Sequence, residues 1–251
     1  MNAFDLTGCT AVVTGARRGI GFAMAEALAA AGADIIGISA NLETQGSAIQ
    51  AAVEAHGRTF AARQVDFADR AAVVELAAEL ETLDVDILVN NAGSIARSPA
   101  AEYPLEWWDR IVEIDLSSQF VLTQAVGRSM LARGRGKIIF TASLLSFQGG
   151  VNVPAYTAAK SAIAGLTKAL ANEWTGRGVT VNAIAPGYIA TDNTQALQDD
   201  EARSASILDR IPAGRWGRPS DLAGATVFLA APASDYVSGV TLPVDGGWLG
   251  R

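Results

Sequence analysis

A tyrosine and a lysine one helical turn apart are the side chains of this sequence best suited to moving a proton. Tyr156 and Lys160 stand four positions apart, so a helix would place them on one face with Cβ atoms about 6 Å apart. A neighbouring ammonium favours the ionised phenol, so Lys160 would lower the pKa of Tyr156 from about 10. Such a phenol could exchange a proton with a substrate oxygen. Taken alone, the same spacing is more often found on an ordinary helix surface.

Ser143 could supply the hydrogen bond that orients the same substrate oxygen, because it ends a β-branched run shortly before Tyr156. The three residues together predict interconversion of a carbonyl and an alcohol. The one histidine, His56, precedes Gly57 at a predicted helix end. One imidazole cannot make a His-rich zinc site or leave a spare for a catalytic triad, so no metal site is predicted and acid/base chemistry must use other groups.

Two motifs predict a dinucleotide site. The first predicted strand runs into Thr14-Gly15-Ala16-Arg17-Arg18-Gly19-Ile20-Gly21, and an Ala-rich helix follows. Glycines there permit a tight turn and close approach of a pyrophosphate to the helix N–H groups. The spacing differs from the common G-x-G-x-x-G, and a purely structural turn is the alternative. The fourth strand ends in Asn90-Asn91-Ala92-Gly93, which suits a flat ring lying on the backbone or an ordinary turn.

The elements that must position these residues alternate along the chain. Strands are predicted at residues 10–14, 33–39, 59–66, 86–90, 137–142, 180–185 and 241–244. Helices are predicted at 20–31, 42–55, 70–81, 105–132, 155–176, 192–208 and 221–229. This alternation is typical of an α/β, doubly wound, seven-stranded parallel sheet of the Rossmann type, formed by residues 1–251 as a single domain. Ligands bind beyond the carboxyl ends of such strands.

Composition narrows the function classes. Half of the 251 residues are hydrophobic and 18% are charged, so the chain can bury a sizeable core. The net charge of −7 and the absence of a basic run disfavour nucleic acid and anionic membranes as partners. A lone cysteine, Cys9, and no recognisable leader favour a cytoplasmic location. The 22 uncharged residues between Lys137 and Lys160 include Gly149, Gly150 and Pro154, which are unsuited to a membrane span.

Together, these motifs and Pro186-Gly187 resemble the short-chain dehydrogenase/reductase family over residues 5–250. The resemblance implies that Tyr156 is the acid/base and that Ser143 positions the reacting oxygen. Lys160 would lower the pKa of the tyrosine and hold the nicotinamide ribose. Further cofactor contacts are implied for Asp66 at the adenine, for Asn91, Ala92 and Gly93, and for Pro186, Gly187, Ile189 and Thr191 by the nicotinamide.

One position departs from the family pattern. Asp115 stands where members usually carry an asparagine that helps to hold a water in the proton relay. A carboxylate keeps an acceptor oxygen and adds a charge that could stabilise Lys160 as ammonium. We expect Asp115 to belong to the catalytic group, with a purely structural backbone contact as the alternative.

The cofactor's ribose site is predicted from the end of the second strand. Ser39 and Asn41 stand there, with neither the aspartate typical of NAD binding nor the arginine typical of NADP binding. Arg17 and Arg18 could favour the extra phosphate, whereas Glu43 opposes it. The sequence favours NAD and leaves NADP open.

Five stretches of the second half carry a finer resemblance: Ser143–Gly150, Val153–Lys160, Ala171–Trp174, Ile211–Gly217 and Val244–Leu249. They resemble family members that act on small sugar acids, of the 2-deoxy-D-gluconate 3-dehydrogenase and 4-deoxy-5-hexoseulose uronate reductase groups. The latter act in alginate and pectin breakdown. Gln148 could meet substrate hydroxyls, and Arg97, followed by Arg215, could meet a carboxylate. An NADPH-dependent 3-oxoacyl-type reductase and a non-catalytic dinucleotide-binding regulator are the alternatives.

Two expectations concern parts away from the reacting atoms. The polar stretch at 192–208 is predicted to be a mobile lid, with an ordinary surface helix as the alternative. The family is commonly tetrameric, and the resemblance implies a homotetramer with an interface on the two long helices at 105–132 and 155–176. Trp107 and Trp108 are predicted to lie in an interface or the core rather than under a sugar.

Overall fold

The computed structural model describes residues 2–251 and contains one seven-stranded parallel sheet. The strands lie in the order β3-β2-β1-β4-β5-β6-β7, so the chain reverses direction across the sheet between β1 and β4. A doubly wound sheet binds ligands at such a reversal. The strands are β1 (Thr10–Thr14), β2 (Asp34–Ser39), β3 (Phe60–Gln64), β4 (Ile87–Asn90), β5 (Gly136–Thr141), β6 (Val179–Pro186) and β7 (Thr241–Val244).

Helices cover both faces of this sheet, as the predicted Rossmann-type fold requires. They are α1 (Gly19–Ala30), α2 (Ala48–Ala55), α3 (Arg70–Glu81), α4 (Leu105–Val112), α5 (Ser118–Arg133), α6 (Pro154–Trp174), α7 (Gln195–Asp199), α8 (Glu201–Arg210) and α9 (Ala223–Ala230). Within residues 2–251, none of them combines the length and apolar character needed to cross a membrane.

Successive residues of the central strands enter two different cores. Val12 packs in the layer that contains α3, α5 and α6, whereas Val13 packs in the layer that contains α1 and α9. Leu88 and Val89 of β4 divide in the same way. Because both faces are buried, these strands are apolar throughout instead of alternating. Each such side chain contributes about 1.5–3 kcal/mol when it leaves water.

Three predicted helices differ from the structure. Helix α2 begins at Ala48 instead of residue 42, because Gly46 adopts φ +69° and the Ser47 side chain accepts the N–H of Gln50 as an N-cap. The stretch predicted at 192–208 is a 3₁₀ turn followed by two short helices. They are separated at Asp200, whose carboxylate accepts the N–H of Arg203.

The helix predicted at 105–132 contains a π-helical turn over Glu113–Ser117, between α4 and α5. A π turn has one residue more than an α turn and often occurs at a functional site. Here it carries Asp115, whose side chain is fully buried. No residue type within Glu113–Ser117 indicates a π turn in advance.

Candidate active site

The glycine-rich loop is held against the ends of three strands. The N–H of Gly15 donates to the carbonyl of Ile38 at the end of β2, at 2.7 Å. The Thr14 hydroxyl accepts the N–H groups of Asn91 and Ala92, at 2.9 and 2.8 Å. The Asn91 side chain donates in return to the Thr14 carbonyl at 3.0 Å. The two sequence motifs therefore form one rigid floor at the reversal of the sheet.

Helix α1 starts from this floor with free N–H groups. Its N-cap, Arg18, provides no side-chain cap, and no acidic residue occupies the first turn. The first N–H groups of a helix lack partners within it and attract anions. Gly19 takes φ +60°, a left-handed conformation that favours glycine. The loop and helix start therefore fit the pyrophosphate of a dinucleotide.

Lys160 lies in the candidate catalytic centre, where its side chain is 2% exposed. Its ammonium donates to the carbonyl of Thr141 at 2.9 Å and lies 3.3 Å from a carboxylate oxygen of Asp115. It also lies 5.5 Å from the ring centroid of Tyr156. Helix α6 thus places the tyrosine and the lysine together, as the four-residue spacing predicts.

Ser143 follows β5 and faces the same centre. Its hydroxyl accepts the N–H of Leu145 at 3.1 Å, and its own N–H donates to the Ser146 hydroxyl at 3.3 Å. Ser146 in turn donates to the carbonyl of Lys160 at 2.6 Å. Because Ser143 accepts from the backbone, its own proton stays available for a substrate oxygen.

The pKa of Tyr156 is raised, mainly because the phenol is desolvated by burial. Lys160 opposes this rise, as do the approach of the Ser143 hydroxyl and the charge of Arg97, whereas Asp115 adds to it. The sequence-based expectation was a lowered pKa. The sign expected for Lys160 is correct, but burial outweighs its charge in this structure.

Asp115 connects the π turn to the loop after β4. One of its oxygens accepts the N–H of Ser94 at 2.8 Å and the other faces Lys160. Burial raises its pKa, while Lys160 and the Ser94 N–H favour the carboxylate. Gly93 passes so close that an added Cβ would stand 3.0 Å from the Asp115 carboxylate. The start of α5 also holds the loop after β4, because the Gln119 amide donates to the carbonyl of Ala92 at 2.7 Å.

Charged pairs surround the expected ribose site. Arg17 donates through two nitrogens to Glu43, the closer contact being 2.9 Å, and its backbone N–H donates to the Ser39 hydroxyl at 3.1 Å. Arg18 pairs with Asp192 at the start of the predicted lid. Both arginines of the glycine loop therefore already face a carboxylate. Asn41 lies exposed on the loop after β2.

The other expected cofactor contacts lie along the same edge. Asp66 accepts the N–H of Ala68 at 2.9 Å and lies 3.7 Å from the guanidinium of Arg110. Gly187 hydrogen-bonds Val244 of β7 and approaches Asp245 so closely that a Cβ would clash with its backbone. Ile189 is buried beside Gly217, and Thr191 lies next to Gly19.

The candidate substrate residues separate into two groups. Arg97 lies near enough to Tyr156 to lower its pKa, and it donates to the carbonyl of Asn193 at 3.4 Å. Gln148 accepts a hydrogen bond from Trp248. Arg215 instead forms a bidentate pair with Asp221, at 2.7 and 3.0 Å, on the wall of a cavity of about 180 Å³. That pairing gives Arg215 a structural partner, which weakens it as a carboxylate ligand.

Comparison with known proteins identifies the family. Residues 15–249 match the family model described as Enoyl-(Acyl carrier protein) reductase. The chain is 56% identical to the 2-dehydro-3-deoxy-D-gluconate 5-dehydrogenase of Pseudoalteromonas atlantica, over 253 aligned residues that cover all of both proteins. The chain belongs to the short-chain dehydrogenase/reductase family.

Solved structures of this family agree with the fold throughout. A protein of Beutenbergia cavernae, assigned as an NAD(P)-dependent gluconate 5-dehydrogenase with NADP at low occupancy, superposes with a TM-score of 0.96 and 49% identity. A protein of Agrobacterium tumefaciens, assigned as a 2-deoxy-D-gluconate 3-dehydrogenase with bound NADP, gives 0.94 and 49%. Both alignments cover all of both chains. This short-chain dehydrogenase/reductase is therefore an NAD(P)-dependent oxidoreductase.

Several partners of the family site were missed from the sequence. The Thr141 carbonyl and the Ser94 N–H are backbone groups, so their residue types carry no signal. Trp248, which contacts Gln148, lies 100 positions away along the chain. The Asp245-Gly246-Gly247 stretch before it indicates a turn after the last strand, but the sequence does not indicate where that turn leads.

Proposed function

We propose that this enzyme transfers hydride between NAD(H) and a keto or hydroxy group of a small sugar acid, with Tyr156 as the proton donor and acceptor. The observation that carries the proposal is that Ser143, Tyr156 and Lys160 lie together at the carboxyl edge of the sheet, within range of the charge of Arg97. The sequence pointed to a 2-deoxy-D-gluconate or 4-deoxy-5-hexoseulose uronate type of substrate. The P. atlantica relative is named for 2-dehydro-3-deoxy-D-gluconate, another small sugar acid, which is our first candidate.

In the reduction, the substrate carbonyl oxygen lies between the hydroxyl groups of Ser143 and Tyr156. Ser143 donates a hydrogen bond that orients this oxygen and stabilises the charge developing on it. Tyr156 then gives its phenol proton to the oxygen, and in the reverse direction it takes a proton from the alcohol. The nicotinamide, when bound, supplies or accepts the hydride. Tyr156 is suited to the reductive direction, since burial keeps its proton bound.

Lys160 stabilises the phenolate that forms when Tyr156 gives up its proton. Its position is fixed by the Thr141 carbonyl on one side and the Asp115 carboxylate on the other. Those two contacts leave part of its donor capacity for a ribose hydroxyl. Asp115 holds the ammonium in place and opposes ionisation of the phenol.

NAD(H) is the cofactor we propose. The free N–H groups of α1 and the glycine loop would hold its pyrophosphate, and Ser39 and Asn41 lie at the expected ribose. A 2′-phosphate would need an unpaired cation, whereas Arg17 already faces Glu43 and Arg18 faces Asp192. NADP(H) is the second candidate, because both solved relatives described above contain NADP.

A carboxylate substrate is supported by the charge at the mouth of the site. Arg97 is an exposed guanidinium whose side chain contacts a backbone carbonyl, not a carboxylate. It therefore keeps its charge available for a sugar acid, and Gln148 adds polar contacts on the loop before α6. An acyl chain would instead need an apolar channel beside Tyr156.

Assembly and location complete the proposal. A homotetramer is supported by the exposed aromatic surface of α4 and α5, where Trp107, Trp108 and Phe120 are 38–41% exposed. The exposure of Trp107 and Trp108 rules out the predicted core position, so we propose that they lie in the interface. The cytoplasmic location stays a prediction.

The decisive experiment measures how fast the purified protein oxidises NADH, and separately NADPH, with each of a panel of ketones as the substrate. The panel contains the keto acids derived from 2-dehydro-3-deoxy-D-gluconate and from uronates, together with simple 3-oxoacyl compounds. We expect turnover of the sugar-acid ketones with NADH. Activity confined to the 3-oxoacyl compounds would replace the proposed function with that of an acyl reductase.

A further inference from the structure

The end of the chain reaches the loop that precedes the catalytic helix. Trp248 is buried, and its indole Nε1 donates to the amide oxygen of Gln148 at 3.3 Å. We propose that Trp248 is a positioning residue for substrate recognition: it holds the Gln148 amide so that only its N–H groups are offered to the substrate. The inference rests on the proposed function, because it assigns Gln148 to the sugar-acid site.

The chemistry of the two groups sets the orientation of the amide. An indole N–H can only donate, so the atom it meets must be the carbonyl oxygen of the amide and not its nitrogen. The amide nitrogen of Gln148 has no hydrogen-bond partner among residues 2–251. Its two N–H groups are therefore available to an acceptor. Carboxylate, carbonyl and hydroxyl oxygens are such acceptors, and a sugar acid is rich in them.

Trp248 is held from three sides, which makes it a rigid support. Its ring lies 4.8 Å from the ring of Tyr188, at an interplanar angle of 57°. The guanidinium of Arg210, on α8, stands 3.9 Å from its centroid, a cation–π contact. The backbone on either side is fixed by Asp245, whose two oxygens accept the N–H groups of Gly247 and Leu249 at 2.8 and 2.9 Å.

The C-terminal residues Trp248 and Arg251 connect the loop that carries Gln148 to helix α8. Arg251 donates to the carbonyl of Asp209 at 2.7 Å, one residue before Arg210. Trp248 thus contacts both α8 and Gln148.

A double-mutant cycle tests the coupling in the full-length enzyme. Trp248→Phe keeps an aromatic ring for Tyr188 and Arg210 but removes the N–H. We expect it to raise KM for the sugar-acid ketone about 3- to 10-fold, the worth of one hydrogen bond, with little change in kcat. In a Gln148→Ala background the same substitution should have almost no further effect. Equal effects in both backgrounds would overturn the proposal.

Trp216→Phe is the matched control. The Trp216 indole also packs against Tyr188, with centroids 5.6 Å apart, and donates to Ser204 of α8 at 3.2 Å. It does not contact Gln148, so its effect should add to that of Gln148→Ala. If both tryptophan variants behave alike in the cycle, the effect comes from packing of the aromatic cluster and the positioning role is wrong.

A second readout does not depend on the substrate. In protein labelled with ¹⁵N-tryptophan, the Trp248 indole signal is identified by its loss in Trp248→Phe. Gln148→Ala should shift that signal clearly and leave the Trp216 signal nearly unmoved. An unmoved Trp248 signal would overturn the inference even if the enzyme acts on sugar acids. Failure of the wild-type enzyme on every sugar acid, with the signal shifted, would instead refute the proposed function alone.

Discussion

The carboxylate of Asp115 lies 3.3 Å from the ammonium of Lys160, and both side chains are buried. The family resemblance implies an asparagine at this position, so the site carries an additional charge. Ser94 anchors the carboxylate from the backbone side, and burial raises its pKa. Burial is the main cause of the raised pKa of Tyr156; the charge of Lys160 opposes the rise and the charge of Asp115 adds to it.

Asp115→Asn should shift the pH profile while preserving activity. Tyr156 is faced by Lys160, Asp115, Arg97 and the Ser143 hydroxyl, and only Asp115 among the charged groups raises its pKa. Reduction needs the protonated phenol, so loss of that negative charge moves the alkaline limb of kcat/KM to lower pH. Asparagine keeps an acceptor for the Ser94 N–H, and kcat at the optimum should stay within about tenfold, or about 1.4 kcal/mol. A superimposable profile would show that Asp115 is not coupled to the phenol.

Glu43→Gln should increase the use of NADPH. The substitution frees Arg17 from its carboxylate partner, which leaves a guanidinium available for a 2′-phosphate. We expect the ratio of kcat/KM for NADPH to that for NADH to rise by about tenfold or more, the effect of one charged hydrogen bond. Glu81→Gln removes the carboxylate from another exposed arginine pair, with Arg128, and serves as control. Equal ratios in both variants would argue against the assigned ribose site.

Arg97→Gln should weaken recognition of carboxylate substrates. One charge-assisted hydrogen bond is lost, so KM for the sugar-acid ketone should rise about 10- to 100-fold. Turnover of an uncharged ketone serves as the internal reference, because Arg97 also lowers the pKa of Tyr156. Arg203→Gln, an exposed arginine on α8, is the control variant. An equal loss on charged and uncharged ketones would place Arg97 in the proton chemistry instead of substrate recognition.

Asp221→Asn should lower stability in a pH-dependent way. Hydrogen bonds from Arg215 and the N–H of Arg218 lower the pKa of Asp221 from 3.8 to about 2. A depressed pKa contributes stability that is present above pH 3.8 and is lost as the pH falls through about 2. Arg215 is half exposed, so the contribution at pH 7 is about 1 kcal/mol after screening. Urea unfolding of the wild type and of Asp221→Asn at pH 7 and at pH 3 measures this contribution. If the two proteins differ by the same free energy of unfolding at both pH values, the lowered pKa of Asp221 is contradicted.

The central strands could be predicted because they are apolar runs buried on both faces, whereas the edge strand β3 is only partly buried and carries Arg63 and Gln64. Val12 and Val13 are consecutive in β1 and enter opposite cores, so both positions carry an apolar residue. Helix ends were less predictable. Leu42 follows the strand with a helix-forming side chain, yet the positive φ of Gly46 and the Ser47 cap delay the helix to Ala48.

The site was predictable where side chains of distinctive type carry it. The spacing of Tyr156 and Lys160 predicts their contact. The predicted direction of the Tyr156 pKa shift was wrong, because desolvation depends on everything packed around the phenol and not on one neighbour. The π turn under Asp115 and the pairing of Arg215 with Asp221 arise from tertiary packing. Neither leaves a local pattern in the sequence.

The central claim is that the Tyr156 phenol exchanges the proton, and Tyr156→Phe tests it most directly. The substitution removes one hydroxyl and keeps the ring beside Lys160. Steady-state reduction of the sugar-acid ketone should fall about 10²- to 10⁴-fold, the worth of a positioned acid/base, while NADH binding by fluorescence titration stays unchanged. A variant that binds NADH normally and turns over at the wild-type rate would contradict the account.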